Sequence, residues 1–143
     1  MSRVETLEQE ICKLSPAETA ELRDCLLERD WKALAALPWL ATPPASAHHR
    51  LLSGVFGEGS LTGLEPRRVA LVDQEASMLD LVKSGVGLSL ARDSIAIRES
   101  QAHGLVVADR VSLDCVLSFI CLKARATEPV VASAWGALAQ AWR

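Results

Sequence analysis

Strand-like and helix-like segments alternate through most of this 143-residue chain. The run Arg67 to Val72 is typical of a strand, and the segment after it places Met78 and Val82 at helical spacing. Gly85-Val86-Gly87 then ends the helix, and Leu88 to Ala91 predicts the next strand. Parallel strands need a crossover between them, usually a helix. The alternation therefore predicts an α/β domain with a mostly parallel sheet.

The same pattern predicts further elements on both sides of this unit. Trp39 to Thr42, bracketed by prolines, suits a first strand, and Ser46 opens a helix that continues to Phe56. After Ala91, the pattern predicts a helix from Arg92 to His103 and a strand around Leu105 to Ala108. A buried strand from Val116 to Leu122 follows. The last predicted element is a closing helix with one face formed by Val131, Trp135, Leu138 and Trp142. The Val116 to Leu122 run is predicted to be buried because it is almost continuously apolar.

The first 36 residues predict an acidic helical hairpin, set apart from an α/β domain over residues 37–143. Apolar residues at helical spacing define its first helix, namely Val4, Leu7, Ile11 and Leu14. Ser15, Pro16 and Glu18 have the spacing of a capping box that starts a second helix running towards Trp31. Residues 1–30 hold eight acidic side chains against four basic ones. This surface would repel DNA phosphates, so the second helix is not predicted to read DNA.

Composition and charge indicate the cellular compartment and limit the classes of partner that we expect. Half of the residues are hydrophobic and 23% are charged, as in one ordinary globular domain, and the net charge of −3 provides no basic field for nucleic acid or an anionic membrane. The longest uncharged stretch, Pro129 to Trp142, is too short to span a bilayer. The N-terminus carries glutamates where a signal peptide would be basic and then apolar. We therefore expect a soluble, cytoplasmic protein that contacts neither nucleic acid nor membrane directly.

The cysteines and histidines predict neither a metal site nor a cofactor. The four cysteines contain no Cys-x-x-Cys pair and lie within apolar periodicity, so they are predicted to be small buried thiols; they are Cys12, Cys25, Cys115 and Cys121. The neighbouring His48 and His49 point in different directions on a helix. We interpret them as surface residues of a first helical turn.

No motif in the sequence predicts catalysis. Gly85 and Gly87 have the spacing of a dinucleotide-binding loop, but Leu90 occupies the position of its third glycine. They also lie between a helix and the following strand, whereas a phosphate-binding loop lies between a strand and the following helix. Ser89 lacks the flanking glycines of a nucleophile elbow. The chain is therefore predicted not to be an enzyme, with no catalytic residues.

Two turns that follow predicted strands are candidates for binding a small organic anion. The hydroxyl groups of Thr42 and Ser46 belong to the first turn, and Gln74, Glu75 and Ser77 belong to the second. In α/β sheets, ligands bind outside the carboxyl ends of the strands, where helix N-termini present free N–H groups. An ordinary structural role fits the same two turns, with Ser46 and Asp73 as helix N-caps and Gln74 and Glu75 as a solvated first turn.

Residues 39–46 (WLATPPAS) and 63–92 carry a resemblance to a known family. Together with the stretch LVKSGVGLSLARD at residues 81–93, they resemble the effector-binding domain of LysR-type transcriptional regulators. The run Leu117 to Leu122 and the closing helix are similar to the return strand and the C-terminal helix of that family. The resemblance covers roughly Pro38 to Arg143 and lies in the order of the elements more than in any one motif.

This resemblance implies a periplasmic-binding-protein-like fold in which two α/β lobes enclose a small organic effector. It implies that the chain holds the second lobe with the return strand and terminal helix, without a winged helix-turn-helix of its own. The expected function is then non-enzymatic effector sensing in a truncated regulator, without a cofactor. The expected partners are a small organic anion and either further copies of the chain or another regulator subunit.

A second resemblance supports a different function. The stretch LEQEICKLSPAETAELRDCLLERDW, at residues 7–31, is similar to short helical antitoxin components of bacterial addiction modules. This resemblance implies a protein-interaction module whose helical hairpin binds a partner.

Overall fold

The computed structural model describes residues 2–141, and their helices and strands follow one another as a mixed α/β chain. The elements are α1 (Arg3–Ile11), α2 (Pro16–Ala35), β1 (Pro38–Ala41), α3 (Ala47–Ser53), β2 (Arg67–Leu71), α4 (Glu75–Lys83), α5 (Asp93–His103), a 3₁₀ turn (Lys123–Arg125) and α6 (Pro129–Ala141). The chain divides into two compact units, one ending at Leu113 and the other starting at Asp114. Each unit is described by itself.

β1 is the middle of a small parallel sheet. It pairs in parallel with β2, so that Pro38 lies opposite Arg67 and Ala41 opposite Leu71. On its other edge, the Leu40 N–H donates to the Leu88 carbonyl at 2.8 Å, and the Leu88 N–H donates to the Pro38 carbonyl at 2.7 Å. The predicted α/β class with parallel pairing is confirmed.

The turn that leads from α4 to Leu88 depends on two glycines. Gly85 has a φ of +73°, and its N–H and that of Val86 bond back to carbonyls in the last turn of α4, which is a Schellman motif. A Cβ on Gly87 would lie 2.9 Å from the Pro38 carbonyl oxygen. Gly87 is therefore what lets the chain approach β1 closely. The predicted helix end and tight turn are confirmed.

An aromatic cluster covers one face of β1. Trp39 packs edge-on against Phe56 with ring centroids 5.4 Å apart, and Trp31 packs against the same ring at 5.8 Å. Ala35 and Val55 complete the buried cluster. The end of α2 thus shares a core with β1 and with the chain that follows α3.

A second cluster covers the other face of β1. Successive side chains of a strand point to opposite faces, so Leu40 points away from Trp39. It packs with Val72 and with Met78 of α4. β1 is therefore buried on both faces, as expected for the central strand of a sheet covered by helices.

The two N-terminal helices each begin at a capping box, and the second of these was predicted. Ser15 and Glu18 form a complete capping box at the start of α2, and Ser2 and Glu5 form another at α1. α1 buries none of its residues, and its apolar side chains Val4, Leu7 and Ile11 are between 45% and 62% exposed. The predicted helices are present, and the apolar stripe of α1 faces solvent.

Three predicted strands are corrected by the structure. Leu88 to Ala91 contributes a single bridge to Trp39, while Leu105 to Ala108 and Val116 to Leu122 form no strand. The apolar side chains of the last segment are also exposed, where burial was predicted. An apolar run expresses a tendency to be buried, but a strand forms only by pairing with another strand, and within residues 2–141 this run pairs with none.

The closing helix α6 is confirmed up to Ala141, and Trp142 lies outside the described residues. In the unit that starts at Asp114, Phe119 packs edge-on against Trp135 of α6 with ring centroids 5.3 Å apart. Val131 and Leu138 are half-buried, whereas Trp135 is half exposed.

The prediction of buried thiols was wrong. All four cysteines are free and exposed. Cys12 caps the end of α1, Cys25 lies on the outer side of α2, and Cys115 and Cys121 belong to the segment that failed to form a strand. Apolar residues close to them in sequence, namely Ile11, Leu26, Val116 and Ile120, are exposed as well, so at these positions the periodicity that suggested burial marks exposed surface.

Ion pairs tie α4 to α5 at both ends. Glu75, at the start of α4, pairs with Arg92 before α5 at 3.0 Å. Lys83, at the end of α4, pairs with the buried Glu99 at 2.8 Å, and Arg98 and His103 lie 2.9 and 3.0 Å from the same carboxylate. The ion pair with Lys83 and the hydrogen bonds from Arg98 lower the pKa of Glu99 to about 2, against an ordinary value of 4.5.

The burial of β1 predicts that two leucines of the sheet contribute very differently to the free energy of unfolding. Leu40 is 1% exposed and Leu71 is 72% exposed. We expect Leu40→Ala to lower the free energy of unfolding by about 2–5 kcal/mol, because it opens a cavity between β1 and α4. The matched variant Leu71→Ala should change it by less than about 0.5 kcal/mol. Urea unfolding of both variants measures this, and equal effects would contradict the assignment of the core.

The Glu99 pairs predict a loss of stability in acid. Because its pKa is lower in the folded chain, the Glu99 carboxylate stabilises the fold fully above pH 4.5, and this contribution disappears as the pH falls towards 2. Glu99→Gln should be less stable than the native chain at neutral pH and should show a weaker loss of stability over that range. Urea unfolding as a function of pH measures both. The exposed Glu58→Gln should follow the native profile, and a Glu99→Gln profile parallel to it would refute the assignment.

Candidate functional site

The parallel pairing brings the two predicted turns to one edge of the sheet. The Val72 N–H donates to the Ala41 carbonyl at 2.8 Å, which places the carboxyl ends of β1 and β2 side by side. α3 starts at Ala47 after the first turn, and α4 starts at Glu75 after the second. The site predicted from sequence therefore lies at the edge where α/β sheets bind their ligands.

In the first turn, two predicted residues are in direct contact. The Thr42 and Ser46 hydroxyl oxygens are 2.6 Å apart, and either group can donate the hydrogen bond. Ser46 is the N-cap of α3, and its hydroxyl accepts from the His49 N–H at 3.0 Å. Thr42 is buried. Ser46 thus has the structural role that was kept open for it, and it also orients the Thr42 hydroxyl.

The second turn is more open. Gln74, not Asp73, is the N-cap of α4, and its exposed side chain makes no capping hydrogen bond. Glu75 is held by Arg92, and Ser77 is exposed in the first turn of the helix. Within residues 2–141 no side-chain hydrogen bond joins this turn to Thr42 or Ser46. The structure places the five predicted residues at one edge, but only Thr42 and Ser46 are in contact.

A narrow cleft opens on the aromatic face of β1, beside the first turn. Its walls are formed by ten residues, which are Trp39, Leu40, Ala41, Thr42, His49, Leu52, Ser53, Phe56, Pro66 and Arg68. The volume enclosed is about 20 Å³, room for roughly one water molecule. Apolar walls with a few polar groups are typical of sites for small organic ligands.

Two residues of this cleft, His49 and Arg68, were not predicted from the sequence. Arg68 lies opposite Trp39 in the sheet register and so belongs to the same face. The signal for it is the register of β1 against β2, which the sequence alone does not reveal. His49 follows from Ser46, since the first turn of a helix capped there lies over the end of β1.

The positively charged Arg68 at the cleft forms only an exposed ion pair. The Arg68 guanidinium is 3.1 Å from the Glu65 carboxylate, and both side chains are more than half exposed. Exposed ion pairs of this kind contribute little, so the guanidinium is available to a competing anion. Together, the Arg68 guanidinium and the Thr42 hydroxyl offer a carboxylate one charged and one neutral donor.

The described residues include no arrangement for a metal ion. No three His, Cys, Asp or Glu side chains of residues 2–141 lie close enough together to form a metal site.

Over the same range, no helix combines the length and the apolar character needed to cross a membrane.

Comparison with protein families gives a match over most of the chain. The family described as the LysR substrate binding domain matches residues 14–143. In the comparisons with curated proteins and with solved structures, no protein matches the chain. The matched range includes α2, both strands and all the later helices.

Proposed function

This chain belongs to the LysR substrate-binding domain family, and on that premise we propose that it is a non-enzymatic sensing module for a small organic anion in a LysR-type transcriptional regulator. The family match over residues 14–143 is the observation that carries the proposal. Domains of this family have a periplasmic-binding-protein-like fold and bind small-molecule effectors. The proposed sensor works in the cytoplasm, with other regulator subunits or further copies of itself as its protein partners.

The proposed site is the cleft at the carboxyl end of β1. The effector's carboxylate accepts hydrogen bonds from Arg68 and Thr42, and its carbon skeleton lies against Trp39 and Phe56. Ser46 holds Thr42 in place. Because the enclosed volume is close to that of one water, an organic acid binds at the mouth of the cleft or by moving its walls apart.

The second turn forms the outer rim of the proposed site. Gln74 and Ser77 are exposed at the start of α4, where N–H groups point outward, and Glu75 fixes the helix by its pair with Arg92. The division into residues 1–36 and residues 37–143 is part of the same proposal. Direct contact with nucleic acid is not part of it, because the acidic surface of α2 repels phosphates.

Ligand-dependent melting of the full chain tests this function. We expect one chemical class, in a panel of aromatic and aliphatic carboxylates, to raise the melting temperature in proportion to dose. A ligand at a hundred times its Kd adds about 2.7 kcal/mol, which corresponds to several degrees for a domain of this size. A cooperative melt that no carboxylate shifts would refute the sensor function.

Two neighbouring arginines provide the matched variants for the site. Arg68 lines the cleft, whereas Arg67 precedes it on β2 and is also exposed. We expect Arg68→Gln to raise the Kd of the active carboxylate about 10- to 100-fold, the loss of one charge-assisted hydrogen bond. Arg67→Gln should leave the Kd nearly unchanged. Isothermal titration calorimetry measures both, and equal losses would place the anion elsewhere.

A second candidate function is an antitoxin-like interaction module, and the bare apolar stripe of α1 favours it. Leu7 and Ile11 are exposed on one side of this helix, and Gln9 lies on the opposite side. If this function holds, Leu7→Asp abolishes binding of a specific protein partner, and Gln9→Asp does not. Affinity purification with mass spectrometry distinguishes them, and equal recovery with both variants would exclude α1 as the binding surface.

A further inference from the structure

The outer edge of β2 is open. β1 is bonded to β2 on one side and to Leu88 on the other. In the part of the chain that the structure describes, β2 pairs with β1 alone, and its residues Val69 and Leu71 are exposed. A strand paired on one side presents free N–H and C=O groups on the other. β2 is therefore ready to accept another strand.

The segment from Cys115 to Leu122, called the apolar segment below, has the composition of a strand but no partner. It contains eight consecutive uncharged residues. Within residues 2–141, none of its N–H groups donates to a backbone carbonyl. The segment gains both hydrogen bonds and apolar burial if it is added to a sheet edge.

One face of the apolar segment is partly covered and the other is bare. Phe119 packs on Trp135 of α6. In an extended strand, side chains alternate, so Val116, Ile120 and Leu122 share the face opposite Phe119. These three side chains are 91%, 85% and 70% exposed. If such a strand is added to the edge of another sheet, its exposed side chains become buried and its backbone N–H and C=O groups form hydrogen bonds.

Charges at the ends of both elements set the direction of pairing. Arg67 and Arg68 begin β2, and Asp73 follows its end; Asp114 precedes the apolar segment, and Lys123 follows it. Parallel pairing with Lys123 beside Asp73 puts Cys121 beside Leu71 and leaves Asp114 three residues before Arg67, on the side of the strand where the arginines lie. Antiparallel pairing places Lys123 beside the arginines, where like charges repel. Charge complementarity thus favours the parallel direction, which is also that of β1 and β2.

We propose that the apolar segment of one copy adds as a parallel strand to the β2 edge of a second copy. Every copy carries both the segment and the edge, so two reciprocal additions form a closed two-fold dimer. Both surfaces are exposed to solvent in the single chain, and in the parallel direction Lys123 of one copy lies beside Asp73 of the other. This surface is independent of whether the cleft binds an anion.

Mixed disulfide formation between two full-length proteins tests the proposal. The first protein carries Cys12→Ser and Cys25→Ser and keeps the two cysteines of the apolar segment. The second has all four native cysteines replaced by serine and carries Leu71→Cys on β2, with an affinity tag that changes its mass. The native cysteines are exposed, so serine is expected to leave the fold intact. Mild oxidation of the mixture should give a disulfide-linked pair on a non-reducing gel.

A cysteine placed outside the sheet provides the control. In place of Leu71→Cys, the control carries Leu61→Cys, which is also exposed but lies outside the sheet. The mixed pair should form with Leu71→Cys and not with Leu61→Cys. Absence of the Leu71→Cys pair would overturn the proposal. A single chain that holds both sets of cysteines and forms only an internal disulfide would overturn it as well, since its own segment would then occupy the edge.

Sedimentation velocity provides a second measurement that needs no cysteine. The native chain should form a concentration-dependent dimer, and Ile120→Lys should weaken it about tenfold or more in Kd, because a lysine on the bare face opposes burial. Ser133→Lys adds the same charge on the exposed side of α6 and should leave the dimer unchanged. A native chain that stays monomeric at millimolar concentration would overturn the proposal.

Discussion

The indole of Trp39 is held from three directions, and the larger unit is built around it. Its Nε1–H donates to the Leu34 carbonyl near the end of α2 at 2.8 Å, its ring packs edge-on against Phe56, and its backbone belongs to the central strand. An aromatic side chain that buries its apolar body and also satisfies its N–H contributes on both counts. β1 is thereby fixed relative to α2, and the cleft beside Thr42 takes its position from that strand.

Much of this fold could be predicted from local signals in the sequence. Ser15 with Glu18 and the glycine at position 85 act through the backbone of their own neighbours, so the elements that they start and end are where the sequence placed them. Val116 to Leu122 depends on a partner strand, which no local pattern supplies, and the prediction of a buried strand was wrong there. Cys115 and Cys121, which belong to this run, are exposed for the same reason.

The candidate site likewise contains residues that the sequence could predict and residues that it could not. The Thr42–Ser46 contact spans four residues, so the turn and its helix cap are sufficient to form it. Arg68 reaches the cleft only because β2 lies beside β1 in one particular register, with Trp39 opposite Arg68. Cleft residues supplied by distant parts of the chain require the strand pairing to be known. This explains why the hydroxyls were predicted and the cation was not.

We propose above that an organic anion binds at the carboxyl end of β1. The most direct test is a two-dimensional ¹H–¹⁵N NMR titration of the full chain with the carboxylate that raises the melting temperature most. Binding at this site predicts dose-dependent shifts of the amide signals of Thr42, of residues 45–49 and of Arg68. Unchanged signals there, together with shifts confined to α1 and the outer side of α2, would contradict it and would favour an interaction surface on the N-terminal helices.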